Sequence, residues 1–132
     1  MMTTDLWYLV LTALLPTVIP SIYLVGRFGV PGGLQWALGN RDETLEIPAW
    51  ARRAERAHAN LTENLATFAA LVLVAHVAGK ANATTALGAQ IFFWARIAHV
   101  AVYTAGVVPG LRTAVFFVGA SGELMILFQL FK

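Results

Sequence analysis

The chain has 132 residues, room for one domain, and its 58% hydrophobic and 12% charged content predicts an integral membrane protein, because soluble domains carry about 25% charged residues. The net charge is only +2 and no basic patch is interleaved with aromatics, which argues against nucleic acid as a partner. The chain has no cysteine, which excludes disulfides, thiolate metal sites and a cysteine nucleophile.

Four apolar segments are each long enough to cross a bilayer as a helix. The first covers residues 6–26, and no basic residue precedes it, so we expect a retained span and not a cleaved signal peptide. Pro16 and Pro20 lie one turn apart inside it and predict a kink. Residues 27–47 form the only long polar connection and contain several turn-forming Pro and Gly residues.

The second span is predicted over residues 48–78, the third over 84–105 and the fourth over 111–131. Pro48 suits the first turn of a helix, and Gly79 follows its end. A helix of this length extends about 45 Å, more than the ~30 Å hydrocarbon core. Its charged first third should therefore project towards the membrane interface.

The cations fall unevenly on the two sides of the predicted bundle. Six arginines lie on the side of the first connection and two lysines on the other side. Because cytoplasmic loops of membrane proteins are enriched in Lys and Arg, this predicts a cytoplasmic first connection and two outer termini. The cations concerned are Arg27, Arg41, Arg52, Arg53, Arg56 and Arg112, against Lys80 and Lys132.

Polar residues recur along one face of the second helix. Arg53, Arg56, Asn60, Glu63 and Thr67 are spaced by 3, 4, 3 and 4 residues, which places them in a single stripe. Such a stripe in a membrane must face protein or a water-filled cavity, and its charges suit a ligand with carboxylates and an ammonium group. The alternative is structural pairing across the bundle, which is costly for so much buried charge.

A shorter stripe lies on the third span, where Arg96, His99 and Tyr103 are spaced by 3 and 4 residues. An arginine within the membrane is a functional candidate, but we favour a structural pair with Glu63 or Glu123 for Arg96. His99 could equally be a packing histidine and Tyr103 an interfacial aromatic. Together the two stripes predict a shared polar cleft.

Arg112 and Thr113 open the fourth helix directly after a short turn. The helix N-terminus adds positive potential, worth up to ~1 kcal/mol, and an arginine beside it could hold a thiolate. The alternative is an arginine that only sets topology at the membrane edge. His58 and His76 have no second ligand at metal-binding spacing, so no metal site is predicted.

These motifs together resemble the family of membrane-associated proteins in eicosanoid and glutathione metabolism (MAPEG). The segment ERAHANLTEN, residues 55–64, is similar to the family's second-helix signature, and ARIAHVAVY, residues 95–103, to its third-helix motif. Arg112 and Thr113 resemble its thiolate-holding arginine and the hydroxyl residue that follows. The resemblance covers residues 48–131 and departs from several members at Ala59, where they carry another cation.

The resemblance implies an all-α integral membrane fold, a left-handed bundle of four transmembrane helices that assembles as a homotrimer with glutathione sites between subunits. It also implies a transferase or peroxidase that brings small lipophilic substrates from the membrane lipid to a glutathione thiolate. The implied location is a bacterial inner membrane. By the same resemblance Arg112 and Thr113 are catalytic, and the glutathione-binding residues are Arg53, Arg56, Asn60, Glu63, His99 and Tyr103.

Two other functions fit the same stripes. The cleft could bind a lipid or a small acidic ligand without catalysis, or the polar residues could only hold a structural bundle together. A transporter is less expected, because the four spans show no inverted repeat and no paired interrupted helices.

Overall fold

A computed structural model describes the whole chain, Met1–Lys132, and every regular element in it is a helix. The first two helices follow one another almost without a break, and a short third helix precedes three long ones. Their bounds are α1 Thr4–Val18, α2 Pro20–Phe28, α3 Gly33–Leu38, α4 Ala49–Val77, α5 Ala83–Ala105 and α6 Leu111–Leu130.

Four stretches of helix are long and apolar enough to cross a membrane. They are α1 with α2, taken together as Thr4–Phe28, and then α4, α5 and α6. Most of their apolar side chains have no room inside a chain of this size, so they face outwards and require lipid as their solvent. The prediction of an all-α, multi-pass integral membrane protein is therefore confirmed.

The first span is interrupted at Ile19, between its two prolines. Proline has no N–H to donate, so the regular hydrogen-bond pattern cannot continue through Pro20. Ile19 itself keeps right-handed helical angles of φ −57° and ψ −35°. The Ser21 hydroxyl donates to the Val18 carbonyl at 2.7 Å and so satisfies one carbonyl at the break. The prolines thus end one helix and start the next inside a single span.

The first connection contains α3, a helix that the sequence analysis did not predict. Gly32 precedes it with φ 76°, and a Cβ on Gly33 would lie 1.8 Å from the Arg27 carbonyl oxygen. Only glycine allows both the turn and this close approach. Arg41, also at positive φ (61°), donates from its guanidinium to the Ala37 carbonyl at 3.1 and 3.3 Å and caps the helix.

Helix α5 is central, since it packs against α1, α4 and α6. The α5–α6 contact is closest at Gly88 and Gly122, where a Cβ on either residue would lie within 2.6 Å of the other's carbonyl oxygen. Small residues allow membrane helices to approach in this way. One turn further along α5, Phe92 stacks on Phe68 of α4 with ring centroids 4.0 Å apart. These contacts determine which faces of α4, α5 and α6 meet.

A buried carboxylate joins α1 to α5 at the end of the bundle opposite the α5–α6 turn. Asp5 is 2% exposed, and the hydroxyls of Thr3 and Thr85 and the N–H of Leu6 all donate to it. Asn82 caps α5 by accepting from the Thr85 N–H at 3.3 Å, so Thr85 connects the cap to Asp5.

Candidate functional site

The polar stripes of α4 and α5 meet the first turns of α6 around one cavity of about 370 Å³. Five of the residues that line it carry polar groups and two are phenylalanines. The lining residues are Asn60, His99, Tyr103, Arg112, Thr113, Phe116 and Phe117. The structure therefore brings together residues from three helices that the sequence analysis assigned to one site.

Tyr103 lies at the centre of the positive charge around this cavity. The guanidinium carbon of Arg112 is 4.7 Å from the centre of the Tyr103 ring, and that of Arg56 is 5.9 Å from it. The His99 ring meets Tyr103 edge to face, with centroids 5.5 Å apart. Because neither Arg56 nor Arg112 has a carboxylate partner in the chain, both cations are free to attract an anion.

Arg53 uses its guanidinium within the protein. It donates to the carbonyls of Thr104 at 3.0 Å and Ala105 at 3.2 Å, the last two residues of α5. Gly106 follows with φ 65°, and a Cβ there would lie 2.5 Å from the Arg53 Nε. Arg53 therefore caps α5 and complements its dipole. It also lines a smaller cavity of about 280 Å³ beside Tyr103 and Arg112.

The stripe on α4 continues past the cavity to Glu63 and Thr67, which lie on the surface of the chain. Glu63 is the middle residue of α4, and it forms no salt bridge within the chain. Neither residue lines the cavity. A single subunit therefore contributes Asn60 to the cavity but leaves the next two turns of the stripe uncovered in the middle of α4.

Arg96 lies behind the cavity, and its predicted salt bridge with Glu63 or Glu123 is wrong. Its Nη1 donates instead to the Asn60 Oδ1 at 3.1 Å. The rotation of α4 on α5 is responsible, because it turns Asn60 towards Arg96 and leaves Glu63 on the surface. Glu123 is partly buried on α6, but its carboxylate does not come within salt-bridge distance of Arg96.

The model of the MAPEG family matches residues 6–132, nearly the whole chain. The chain belongs to the MAPEG family. The resemblance of its helix motifs is thereby confirmed, and the protein is a membrane protein of glutathione and eicosanoid metabolism. MAPEG proteins are generally associated with glutathione. No curated protein and no solved structure matches the chain.

Two phenylalanines of this MAPEG protein were missed by the sequence analysis. Phe116 packs edge to face with His99 at 6.4 Å between centroids, and Phe117 lines the cavity while 64% exposed. The signal was present in the spacing, since they lie four residues after Arg112 and Thr113 on the same face of α6. The cavity is polar on the side of α4, and these two phenylalanines form an apolar wall on the side of α6.

A second charged cluster of the MAPEG chain lies apart from this cavity, between α2, α3 and α4. Arg27 donates to Glu55 at 2.9 Å and forms a salt bridge with it. The guanidinium of Arg27 also lies over the Tyr23 and Trp36 rings, and the Tyr23 hydroxyl and the His58 ring nitrogen are 3.1 Å apart. Since its charges are paired, this cluster attracts an anion less than the cavity at Arg112 does.

Proposed function

We propose that this MAPEG protein is a glutathione-dependent membrane transferase or peroxidase that acts on lipophilic electrophiles through an activated glutathione thiolate. One observation carries the proposal: the unpaired guanidinium of Arg112, at the first turn of α6, lines a cavity together with Asn60, His99 and Tyr103. A cation, a helix N-terminus and hydrogen-bonding side chains in one cavity are what a thiolate-bearing peptide requires.

Glutathione offers two carboxylates, an ammonium group and amides, and the α4 stripe has complementary groups. Arg56 would bind the carboxylates, and Arg53 would add its positive charge while it caps α5. Asn60 would hydrogen-bond the peptide, and Glu63 would accept from the ammonium group. Arg56 is exposed and without a carboxylate partner, which supports this role best. His99 and Tyr103, which line the same cavity, would contact the bound peptide.

Arg112 would stabilise the thiolate. The thiolate and not the thiol is the nucleophile, and a nearby guanidinium lowers the pKa of a thiol by favouring its charged form. The Thr113 hydroxyl, on the next residue and in the same cavity, can donate to the sulfur. The activated sulfur would then attack an electrophilic carbon and displace its leaving group. In the peroxidase reaction it would attack a peroxide oxygen and break the O–O bond, which releases an alcohol and leaves a glutathione sulfenic acid that a second glutathione reduces to the disulfide and water. The protein itself supplies no nucleophile.

The electrophile would arrive from the bilayer. Phe117, which lines the cavity, is 64% exposed and would form its membrane-facing edge, and Leu111, 40% exposed, lies next to Arg112 in the chain. An apolar substrate dissolved in the acyl chains can reach this edge without entering water. The same geometry would serve a conjugation, a peroxide reduction or an isomerisation.

We further propose that the chain assembles as a homotrimer and that a neighbouring subunit completes the glutathione site. The support is the uncovered stripe on α4, because a charged Glu63 at the middle of a span is costly against lipid. A second copy of the bundle would cover it. The arginine-rich end would face the cytoplasm of a bacterial cell, where glutathione is available in reduced form.

The test is the ultraviolet absorbance of the thiolate when glutathione is added to detergent-purified protein at neutral pH. We expect a thiolate band that Arg112→Ala loses while the variant still binds glutathione. Arg52→Ala is the matched control, since Arg52 pairs with Glu46 outside the cavity. The proposal fails if wild-type protein shows neither a thiolate band nor a thermal shift with glutathione.

A second candidate is a non-catalytic protein that binds a lipid or a small acidic ligand in the same cavity. It is favoured by the two unpaired cations, Arg56 and Arg112, which attract any carboxylate or phosphate. In that case Arg112→Ala weakens binding of the acidic ligand, and glutathione gives no thiolate band with the wild-type protein.

A further inference from the structure

Arg96 is the most deeply buried arginine of the chain. It is 1% exposed, and its guanidinium carbon lies 4.7 Å from the Phe92 ring centre and 4.9 Å from that of Phe116. Gly119 provides the space for it, because a Cβ there would lie 2.8 Å from its Nη2. The guanidinium is therefore fixed between two aromatic rings and the backbone of α6.

The guanidinium of Arg96 donates a hydrogen bond to only one residue. Its Nη1 donates to Asn60 at 3.1 Å, while its Nε and Nη2 are buried with no hydrogen-bonding partner in the chain. A buried arginine kept for stability alone should have more of its donors satisfied. The contact with Asn60 is thus the one specific interaction that Arg96 makes.

A guanidinium can only donate, so the amide atom of Asn60 that faces Arg96 must be the oxygen. The Asn60 Nδ2 is then turned away from Arg96 and has no partner within the chain, although Asn60 lines the cavity. We propose that Arg96 is a positioning residue: it fixes the Asn60 amide so that the cavity presents an N–H donor to an acceptor group of its ligand. This rests on the proposed function in taking glutathione as that ligand.

The orientation has a chemical consequence. With Oδ1 turned towards Arg96, Asn60 presents its Nδ2 donor to the cavity, which suits a carboxylate or a peptide carbonyl and not an ammonium group. The ammonium group of the ligand must therefore lie elsewhere. Arg96 acts on the ligand through Asn60, without touching it, because Arg96 does not line the cavity.

The first test of this positioning role needs no ligand. Asn60→Asp keeps an oxygen facing Arg96 and turns the contact into an ion pair, so we expect the thermal midpoint in detergent to stay level or rise. In an Arg96→Met background the same change leaves a carboxylate without a partner and should lower the midpoint. An equal effect of Asn60→Asp in both backgrounds overturns the proposal.

The second test measures glutathione affinity. Asn60→Asp is stably folded by the argument above but has lost its donor, so we expect about a tenfold weaker affinity at a thermal midpoint no lower than that of the wild-type protein. Arg96→Met and Asn60→Leu should each weaken binding about tenfold, and the double variant no more than either alone. Additive losses, or full affinity in Asn60→Asp, overturn the proposal.

Glu123→Gln is the control for a merely electrostatic role. If Arg96 only balanced the buried Glu123, Glu123→Gln would restore affinity to Arg96→Met, whereas we expect no restoration. Should wild-type protein bind no glutathione, the proposed function fails, and the thermal comparison still decides whether Arg96 orients Asn60. Arg96→Lys replaces Arg96→Met if the methionine variant does not fold.

Discussion

The guanidinium of Arg112 lies over the Tyr103 ring, 4.7 Å from its centre, so the first turn of α6 and the last turn of α5 meet through a cation–π contact. The short connection between the two helices makes this contact possible, with Gly106 at φ 65° and Gly110 at φ 82°. Tyr103 therefore determines where the unpaired charge of Arg112 is held.

Removing the Tyr103 ring should weaken the site even if the hydroxyl is not used. A cation–π contact at an exposed site contributes about 0.5–1 kcal/mol, so Tyr103→Leu should weaken glutathione affinity about two- to fivefold. Tyr103→Phe keeps the ring and should retain affinity. Isothermal titration of both variants separates the two contributions. A loss in Tyr103→Phe equal to that in Tyr103→Leu would show that the hydroxyl, and not the ring, is what matters.

Phe117 should influence the choice of electrophile. Burying a phenylalanine-sized apolar surface is worth about 1.5–3 kcal/mol, so Phe117→Ser should lower kcat/KM for a bulky lipophilic electrophile about tenfold or more. A small water-soluble electrophile should react as before. Phe128→Ser is the matched control, since Phe128 is 61% exposed on α6 but does not line the cavity. Equal losses with the two electrophiles would contradict a role in substrate binding.

Subunit contacts along α4 can be tested with single cysteines, because the chain has none. Thr67 is exposed on the uncovered stripe, so Thr67→Cys labelled with a cysteine-reactive photo-crosslinker should link to a neighbouring subunit in membranes on illumination. Trp94 is 58% exposed on α5, on a face that we expect to contact lipid, and Trp94→Cys labelled in the same way should remain monomeric on a denaturing gel. Cross-linking at Trp94 and none at Thr67 would place the interface elsewhere.

Asp5 should matter for stability and not for the cavity. It is 2% exposed and accepts from Thr3, Leu6 and Thr85, so Asp5→Ala leaves buried donors unsatisfied at a cost of about 1–3 kcal/mol. Thermal unfolding in detergent should show a lowered midpoint. Asp42→Ala, an exposed loop carboxylate, should leave the midpoint unchanged. Equal midpoints for the two variants would mean that Asp5 does not join α1 to α5.

Several residues of the candidate site could be predicted from the spacing of polar residues in the sequence. Helical periodicity alone places Arg56 and Asn60 on one face of α4, and His99 and Tyr103 on one face of α5. An α-helix has 3.6 residues per turn, so residues four apart lie on the same face. The same periodicity places Phe116 on the face of α6 that carries Arg112. The loop helix α3 escaped prediction because it depends on Gly33 lying against the Arg27 backbone, a contact invisible in the local pattern.

The length of the apolar segments by itself determined the four spans, because the bilayer constrains every helix in the same way. Only the tertiary structure decided which polar side chains meet. Arg96 contacts Asn60, 36 residues away, and not Glu63, which is only one turn further along α4. That choice depends on how α4 and α6 are rotated against α5, and the close packing at Gly88, Gly122 and Phe92 sets those rotations.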